Sequence, residues 1–435
     1  MVGFRGTVEQ HHHKNTVQLP LKDSDGSAAA TIPLDKLVDS IEGLQDKSRF
    51  WLAPTLCHGA LQTMYIYGAA ADQVKFPVYY GRRVVELPQG GVVSADYVIP
   101  QPESSESFKK LVGENFPEGW PKLHPRTRYL SPSEVDALKS ETETRPLVII
   151  NHGLGGGSHE PVIRMLTSEL HDAGIDAVVL NSRGCSRTKL TTPELFSGLA
   201  TEDLRYFTKL IQKEYPKRPL FGVGFSFGAT ILSNYLGEEA GDSPYVAAAV
   251  LSNPWDMVDS AYHIQHQLVG KYLFSDSIAF ALSRMVKSNR ETLSQSPLFT
   301  EEKIHKKYHS TVEFDNAITA PEYGFQTAYQ YYRAASSVNR LLKIRTPLLA
   351  INSSDDPVVG VYSIPNFEAE ANPYVVLIKT DLGGHLAFVQ HDGKSWAVER
   401  IVDYFKAFDK TVDLTKKVES SYKPMVSKYV DKVHF

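Results

Sequence analysis

The sequence predicts an α/β fold, a mostly parallel sheet flanked by helices with a helical insertion over one edge. Three observations carry this. From residue 147 onward, continuous apolar runs recur, the pattern of strands buried on both faces. Helix-like segments separate those runs, which argues for parallel strands joined by crossovers. One long interval, 256–340, is helical in pattern, rich in aromatics, and supplies no strand.

Taken in order, residues 1 to about 50 read as polar and irregular, with "KDSDGSAAA" (22–30) as a loop. With a helix-like apolar stretch over 51–67, they are expected to form an N-terminal extension, 1–74. "FPVYYGRRVVELPQGGVVSADYVI" then alternates like two strands about a turn at 88–91, a hairpin signal. Residues 101–145 are polar and proline-rich and read as a surface connector. The buried-strand candidates follow: "LVII" (147–150), "DAVVLN" (176–181), "LFGVGF" (220–225), "AAAVLSN" (247–253), "PLLAIN" (347–352) and "YVVLIK" (374–379). Segments such as "PVIRMLTSELHDAG" and "TEDLRYFTKLIQKEY" supply the helices. The expected organisation is a core of 75–255 and 341–410, a cap or lid over 256–340, and a C-terminal tail, 411–435. A cap in that position would cover the C-terminal edge of the strands, where α/β proteins bind ligands.

Composition narrows the function classes. The 435 residues hold 46 Lys+Arg against 50 Asp+Glu, a formal net charge of −4. That balance offers no basic patch, so nucleic acid is not an expected partner. Two cysteines, Cys57 and Cys185, cannot form a disulfide scaffold and favour a reducing compartment. The N-terminus lacks the apolar stretch of a secretory signal, and no window is long and apolar enough for a membrane span. The run His11, His12, His13 reads as solvated chain rather than a metal site, because tight sites need spaced, converging ligands. No metal or cofactor is expected.

The chemistry-bearing pattern is Gly224-Phe225-Ser226-Phe227-Gly228, a G-x-S-x-G. Alone it is weak. Its context, a buried strand before and a helix after, is the strand–turn–helix of a nucleophile elbow, where small residues flank the serine because strand and helix backbones nearly touch. A serine hydroxyl needs a general base, itself oriented by a third group. In this architecture the chain order is serine, acid, histidine. Downstream, "INSSDDPVVG" places Asp355 and Asp356 just past a strand, and "TDLGGHLAF" places His385 in a glycine-flanked loop after the last one. Asp356 lies further over the sheet edge and is the preferred orienter; Asp355 is the alternative and would instead cap the turn.

"NHGLGGGSHEP" (151–161) could cradle either a phosphate or an oxyanion. A dinucleotide fingerprint needs a third glycine where Ser158 stands, and an acidic residue where the next strand ends in Asn181-Ser182-Arg183. An arginine there leaves an NADP-linked oxidoreductase as a second reading. The hydrolytic reading needs a glycine-rich loop whose N–H groups face the nucleophile, and 152–156 meets it. The oxyanion donors would be the N–H of Phe227 and that of Leu154, with Gly155 as the alternative to Leu154. A third reading is a non-catalytic binding protein on the same fold.

With these residues in hand, the chain resembles the yeast medium-chain fatty acid ethyl ester synthase/esterases, an α/β-hydrolase subfamily that includes bacterial YheT-like and human lung-type ABHD esterases. The resemblance runs from "KFPVYYGRRVVE" to "SWAVERIVDYF" and includes "HPRTRYL", "HGLGGGSHEP", "LNSRGCSRTKLTT", "GFSFGATILSNYLGEE", "NPWD", "EFDNAITAPEYGF", "YYRAASSVNR", "INSSDDPVVG" and "DLGGHLAF". It implies an α/β-hydrolase fold and a Ser226–Asp356–His385 triad. It also implies activity on medium-chain acyl esters or monoacylglycerols, with acyl transfer from acyl-CoA to ethanol in the synthetic direction. Small-molecule esters, acyl-CoA and alcohols are the implied partners. The implied location is intracellular, with peripheral contact to lipid droplets or the mitochondrial outer membrane.

Overall fold

The computed structural model describes residues 4–22, 30–68, 76–418 and 422. Most of the loop expected at 22–30 and most of the expected tail lie outside the described residues. The strands are β1 (Phe4–His12), β2 (Gln18–Pro20), β3 (Thr31–Pro33), β4 (Arg49–Leu52), β5 (Tyr79–Glu86), β6 (Val92–Ile99), β7 (Thr127–Tyr129), β8 (Leu147–Asn151), β9 (Asp176–Asn181), β10 (Leu220–Phe225), β11 (Tyr245–Leu251), β12 (Leu348–Ser353) and β13 (Val375–Thr380). Eleven of them form one sheet, in the order β4-β1-β13-β12-β11-β10-β8-β9-β6-β5-β7, and β2 and β3 pair separately.

The six strands from β8 to β13 are mutually parallel, and they coincide with the apolar runs of the sequence. Their continuous apolarity has a direct cause. Val148 and Ile150 of β8 pack into the core on one face, with helices Pro161–Asp172 and Trp396–Thr411. Leu147 and Ile149 pack into the core on the other, with helices Thr201–Glu214 and Phe227–Glu239. A strand with both faces covered needs apolar side chains at successive positions, each contributing roughly 1.5–3 kcal/mol on burial. β5 and β6 form the hairpin, with Glu86 opposite Val92. Between β11 and β12 the chain runs through helices only, beginning with Met257–His266 and ending with Val338–Leu341.

Three expectations need correction. Residues 1–50 are not irregular: β1 pairs antiparallel with β13 and β4 pairs with β1, closing one sheet edge. An edge strand can be polar because backbone pairing holds it while half its side chains meet water, so "FRGTVEQHH" gives no apolar run. The stretch 51–67 is not one helix; Trp51 and Leu52 belong to β4 and the helix is Gly59–Gly68. The connector 101–145 contains β7, which pairs with β5 at the opposite edge, and helices Ser105–Glu114 and Pro132–Leu138. A three-residue strand is too short to show a period.

Candidate active site

Ser226 sits between β10 and helix Phe227–Glu239 with φ +50° and ψ −118°, a conformation that costs a non-glycine residue roughly 1–3 kcal/mol. The tightness of the turn explains its glycines. A Cβ at Gly224 would lie 2.5 Å from Ala229 Cα, and one at Gly228 would lie 2.3 Å from the Asn151 carbonyl oxygen. Ser226 N–H donates to Leu251 O, tying the elbow to β11.

The loops after β12 and β13 bring the acid and the histidine to the same edge. His385 Nε2 is 2.8 Å from Ser226 Oγ, and His385 Nδ1 is 2.7 Å from Asp356 Oδ2. His385 and Asp356 are both buried. The other Asp356 oxygen accepts the N–H groups of Val358 (2.8 Å) and Val359 (2.9 Å), fixing the carboxylate face toward the imidazole. Asp355 points elsewhere. Its Oδ1 accepts the Ser353 hydroxyl and the Gly384 N–H (2.9 Å), so it braces the histidine loop rather than the ring. Burial pushes the Asp355 carboxyl above its ordinary range.

The N–H groups of the glycine-rich loop can be assigned one by one. Gly156 donates to Gly153 O, Gly157 to Glu160 Oε2 (3.1 Å) and Ser158 to Asn181 Oδ1 (3.0 Å). The Gly153 backbone lies beside the Glu160 carboxylate and the Gly155 backbone beside the Cys185 sulfur, and each holds its neighbour's pKa down against burial. The Leu154 N–H has no hydrogen-bond acceptor among the described residues. Gly155 adopts φ +68°, a left-handed conformation that glycine takes without strain. Phe227, first in its helix, has no intrahelical acceptor for its N–H. Both Leu154 and Phe227 line the cavity that contains Ser226 and His385.

Beneath the loop, His152 Nε2 accepts the Ser182 N–H (3.1 Å), so its Nδ1–H donates to Gly153 O (2.7 Å). Burial lowers this histidine to about 4, which keeps it neutral as that pattern requires. Asp96 holds the loop's end: it accepts the Ser158 hydroxyl and Asn181 Nδ2, and is paired bidentately with buried Arg82 at 2.7 Å.

Several supporting residues had no assignment from sequence. Glu160, inside "GGGSHEP", lies against Gly156, and burial raises its carboxyl to about 7, with nearby His385 opposing the shift. Thr63 accepts the His385 N–H (2.8 Å), and Gln62 binds Val389 N–H (2.7 Å). No sequence signal marks these two: helix Gly59–Gly68 buries Gln62 and Thr63 while Leu61, Met64 and Tyr65 are exposed, the inverse of ordinary amphipathicity. His263 reaches the Asp356 main chain from the cap. His11 lies in β1 with Nδ1 2.8 Å from Glu370.

The cavity has a volume of about 520 Å³. Cap residues Ile264, Ile278, Leu282, Phe314, Tyr331 and Tyr332 line it together with Leu154 and Phe227. Of the cap aromatics, Phe274, Tyr331 and Tyr332 line it, while Tyr272 and Phe280 are exposed.

Comparisons with known proteins agree with this architecture. A family model described as alpha/beta hydrolase fold matches residues 146–392. The chain is 43% identical over 446 residues to medium-chain fatty acid ethyl ester synthase/esterase 2 of Saccharomyces cerevisiae, covering 94% of this chain and 96% of that protein. It is 33% identical over 410 residues to the monoacylglycerol lipase of the same yeast, covering 92% and 90%. It is 33% identical over 281 residues to an abhydrolase domain-containing protein of Dictyostelium discoideum, covering 63% and 69%. With a parallel sheet, a serine on the turn after β10 and the match across 146–392, the chain belongs to the alpha/beta hydrolase fold family.

Proposed function

We propose that this chain is a serine esterase and acyltransferase acting on medium-chain fatty acyl esters, through an acyl-enzyme formed on Ser226. The observation that carries the reading is the relay from Asp356 through His385 to Ser226, at 2.7 and 2.8 Å, beside the unengaged N–H of Leu154. Ser226 Oγ attacks the ester or thioester carbonyl while its proton passes to His385 Nε2. Asp356 holds the Nδ1–H tautomer and stabilises the imidazolium that forms. The N–H groups of Leu154 and Phe227 stabilise the tetrahedral oxyanion, a contribution of about 3–4 kcal/mol per donor in such sites. His385 then protonates the departing alcohol or thiol. Water or an alcohol attacks the acyl-enzyme in the second half, with His385 taking its proton and returning it to Ser226. The names of the two yeast relatives support ester synthesis, ester hydrolysis and monoacylglycerol hydrolysis as directions of the same chemistry. Acyl-CoA enters this reading as an acyl donor and ethanol as an acceptor.

Among the described residues no helix is long and apolar enough to cross a membrane. Peripheral contact with a lipid surface is nonetheless part of the proposal. Met64, Tyr67 and Leu273 are exposed and line the cavity, and Leu268 and Tyr272 nearby are 77% and 69% exposed. An apolar rim of this kind suits an acyl ester entering from lipid.

The dinucleotide reading is disfavoured by Arg183. Its Nε and Nη2 each lie 2.8 Å from an Asp203 oxygen and its Nη1 meets Glu194, so the guanidinium is already engaged.

The test is labelling by a fluorophosphonate, with wild type compared to Ser226→Ala, beside turnover of an octanoyl ester with and without ethanol. Ser226-dependent labelling and ethyl octanoate formation are expected. Folded protein that neither labels nor turns over refutes the reading.

A further inference from the structure

One lining residue does not fit an acyl pocket. Asp315, in the last turn of helix Thr311–Ala317, lines the same cavity as Ser226. Its Oδ1 accepts the Thr319 hydroxyl and its Oδ2 the Tyr332 hydroxyl, both at 2.6 Å. Among the described residues it forms no ion pair. The end of a helix carries partial negative charge, so the position adds no compensation.

Its place in the cavity is informative. Phe314, Thr319, Tyr331 and Tyr332, which line the cavity with it, are buried, whereas the lining residues Met64, Tyr67 and Leu273 are exposed. Asp315 therefore belongs to the enclosed end and the exposed residues to the mouth. Leu154, Phe227, Ile264, Ile278 and Leu282 supply apolar lining to the same cavity. Each carboxylate oxygen has a second lone pair that neither Thr319 nor Tyr332 uses.

We propose that Asp315 sets the upper limit of acyl chain length, by ending an apolar pocket in a polar floor. This rests on the esterase reading above. Each methylene that enters the apolar stretch favours the bound state by about fourfold. A methyl group pushed onto the floor displaces water from the carboxylate and gives nothing in return, so the gain reverses there. An amide at this position keeps one acceptor oxygen for one hydroxyl, and the Thr319 hydroxyl can turn to accept from its NH2. Burial pushes the Asp315 carboxyl up to about 6, the expected response of an acid with no cation beside it.

The test is kcat/KM across straight-chain p-nitrophenyl esters from butanoate to hexadecanoate, for wild type, Asp315→Asn and Asp315→Val. Wild type should climb, peak at an intermediate length and fall. Asp315→Val should move the peak by at least about two carbons toward longer chains, raising the first ester beyond the wild-type peak by about fourfold or more. Asp315→Asn keeps the size and should move it part of the way, which preserves the test if the valine variant fails to fold. Butanoate hydrolysis and fluorophosphonate labelling are measured beside the profile, so that each variant's peak is read only from protein with a reactive Ser226. Loss of those two signals in wild type itself would refute the esterase reading instead. An unmoved peak in folded variants overturns the proposal, as does a wild-type profile that never falls. A selective loss of monoacylglycerol turnover with an unchanged ester profile also overturns it, by assigning Asp315 to the glycerol hydroxyls.

Discussion

Gly228→Ala isolates the contact that places the nucleophile. Gly228 does not have positive φ, so alanine meets no backbone strain there, and as a helix residue it would gain about 1 kcal/mol over glycine. Against this stands space. The new Cβ would lie 2.3 Å from Asn151 O, 2.4 Å from His152 O and 2.5 Å from Asn151 C. All three are backbone atoms at the end of β8, which no rotamer change can move. Ordinary contact is about 3.5 Å, so strand and helix must separate by roughly 1 Å. Overpacking of that kind costs about 1–3 kcal/mol, which outweighs or at best cancels the helix gain. The catalytic loss should be larger than the stability loss. The shift falls between the Phe227 N–H on the helix and the Leu154 N–H on the loop that continues β8, and a displacement of about 1 Å can cost about 100-fold. The assay pairs urea unfolding with steady-state hydrolysis of an octanoyl ester. The expected result is kcat reduced about 100-fold with KM little changed and a modest loss of stability. A folded variant within about threefold of wild-type kcat would refute the argument that these backbones are in contact for a catalytic reason.

Two further predictions follow from the acids around the site. Asp356→Asn should lower kcat by about 10³- to 10⁴-fold through the wrong imidazole tautomer, whereas Asp355→Asn, which braces Gly384, should keep activity within about tenfold. Equal losses in the two variants, measured side by side, would contradict the assignment. Glu160→Gln should change how stability depends on pH. The folded carboxyl titrates near 7 rather than at its ordinary 4.5, so its contribution is fully present below about 4.5 and is lost as pH rises through 7. Glutamine cannot ionise. Urea unfolding at pH 5 and pH 8 should therefore show the variant gaining on wild type by up to about 3 kcal/mol at the higher pH. A difference that does not change between the two pH values would show that Glu160 titrates in the fold as it does in the unfolded chain, and would refute the raised value.

The central strands and the order serine, acid, histidine were legible because each is written locally. β8 to β13 are buried on both faces, so successive apolar residues announce them. The nucleophile needs small residues two positions before and after it, and Gly224 and Gly228 stand there in the chain. The edges of the sheet were not legible. β1 and β7 are held by backbone pairing with β13 and β5, and pairing leaves no mark on side-chain pattern.

By itself, then, the sequence determined the fold class, the candidate triad and the presence of a glycine-rich loop facing it. Tertiary structure decided the questions that turn on which polar atom meets which. Asp356 rather than Asp355 reaches His385 because two N–H groups of the following turn orient its carboxylate. Leu154 meets the cavity beside Ser226 because the loop after β8 folds back over the nucleophile turn. Thr63 and Glu160 hold the site from segments that carry no motif of their own. Hydrogen bonds are short and directional, so residue type can suggest the partners at a site, but only packing in three dimensions selects among them.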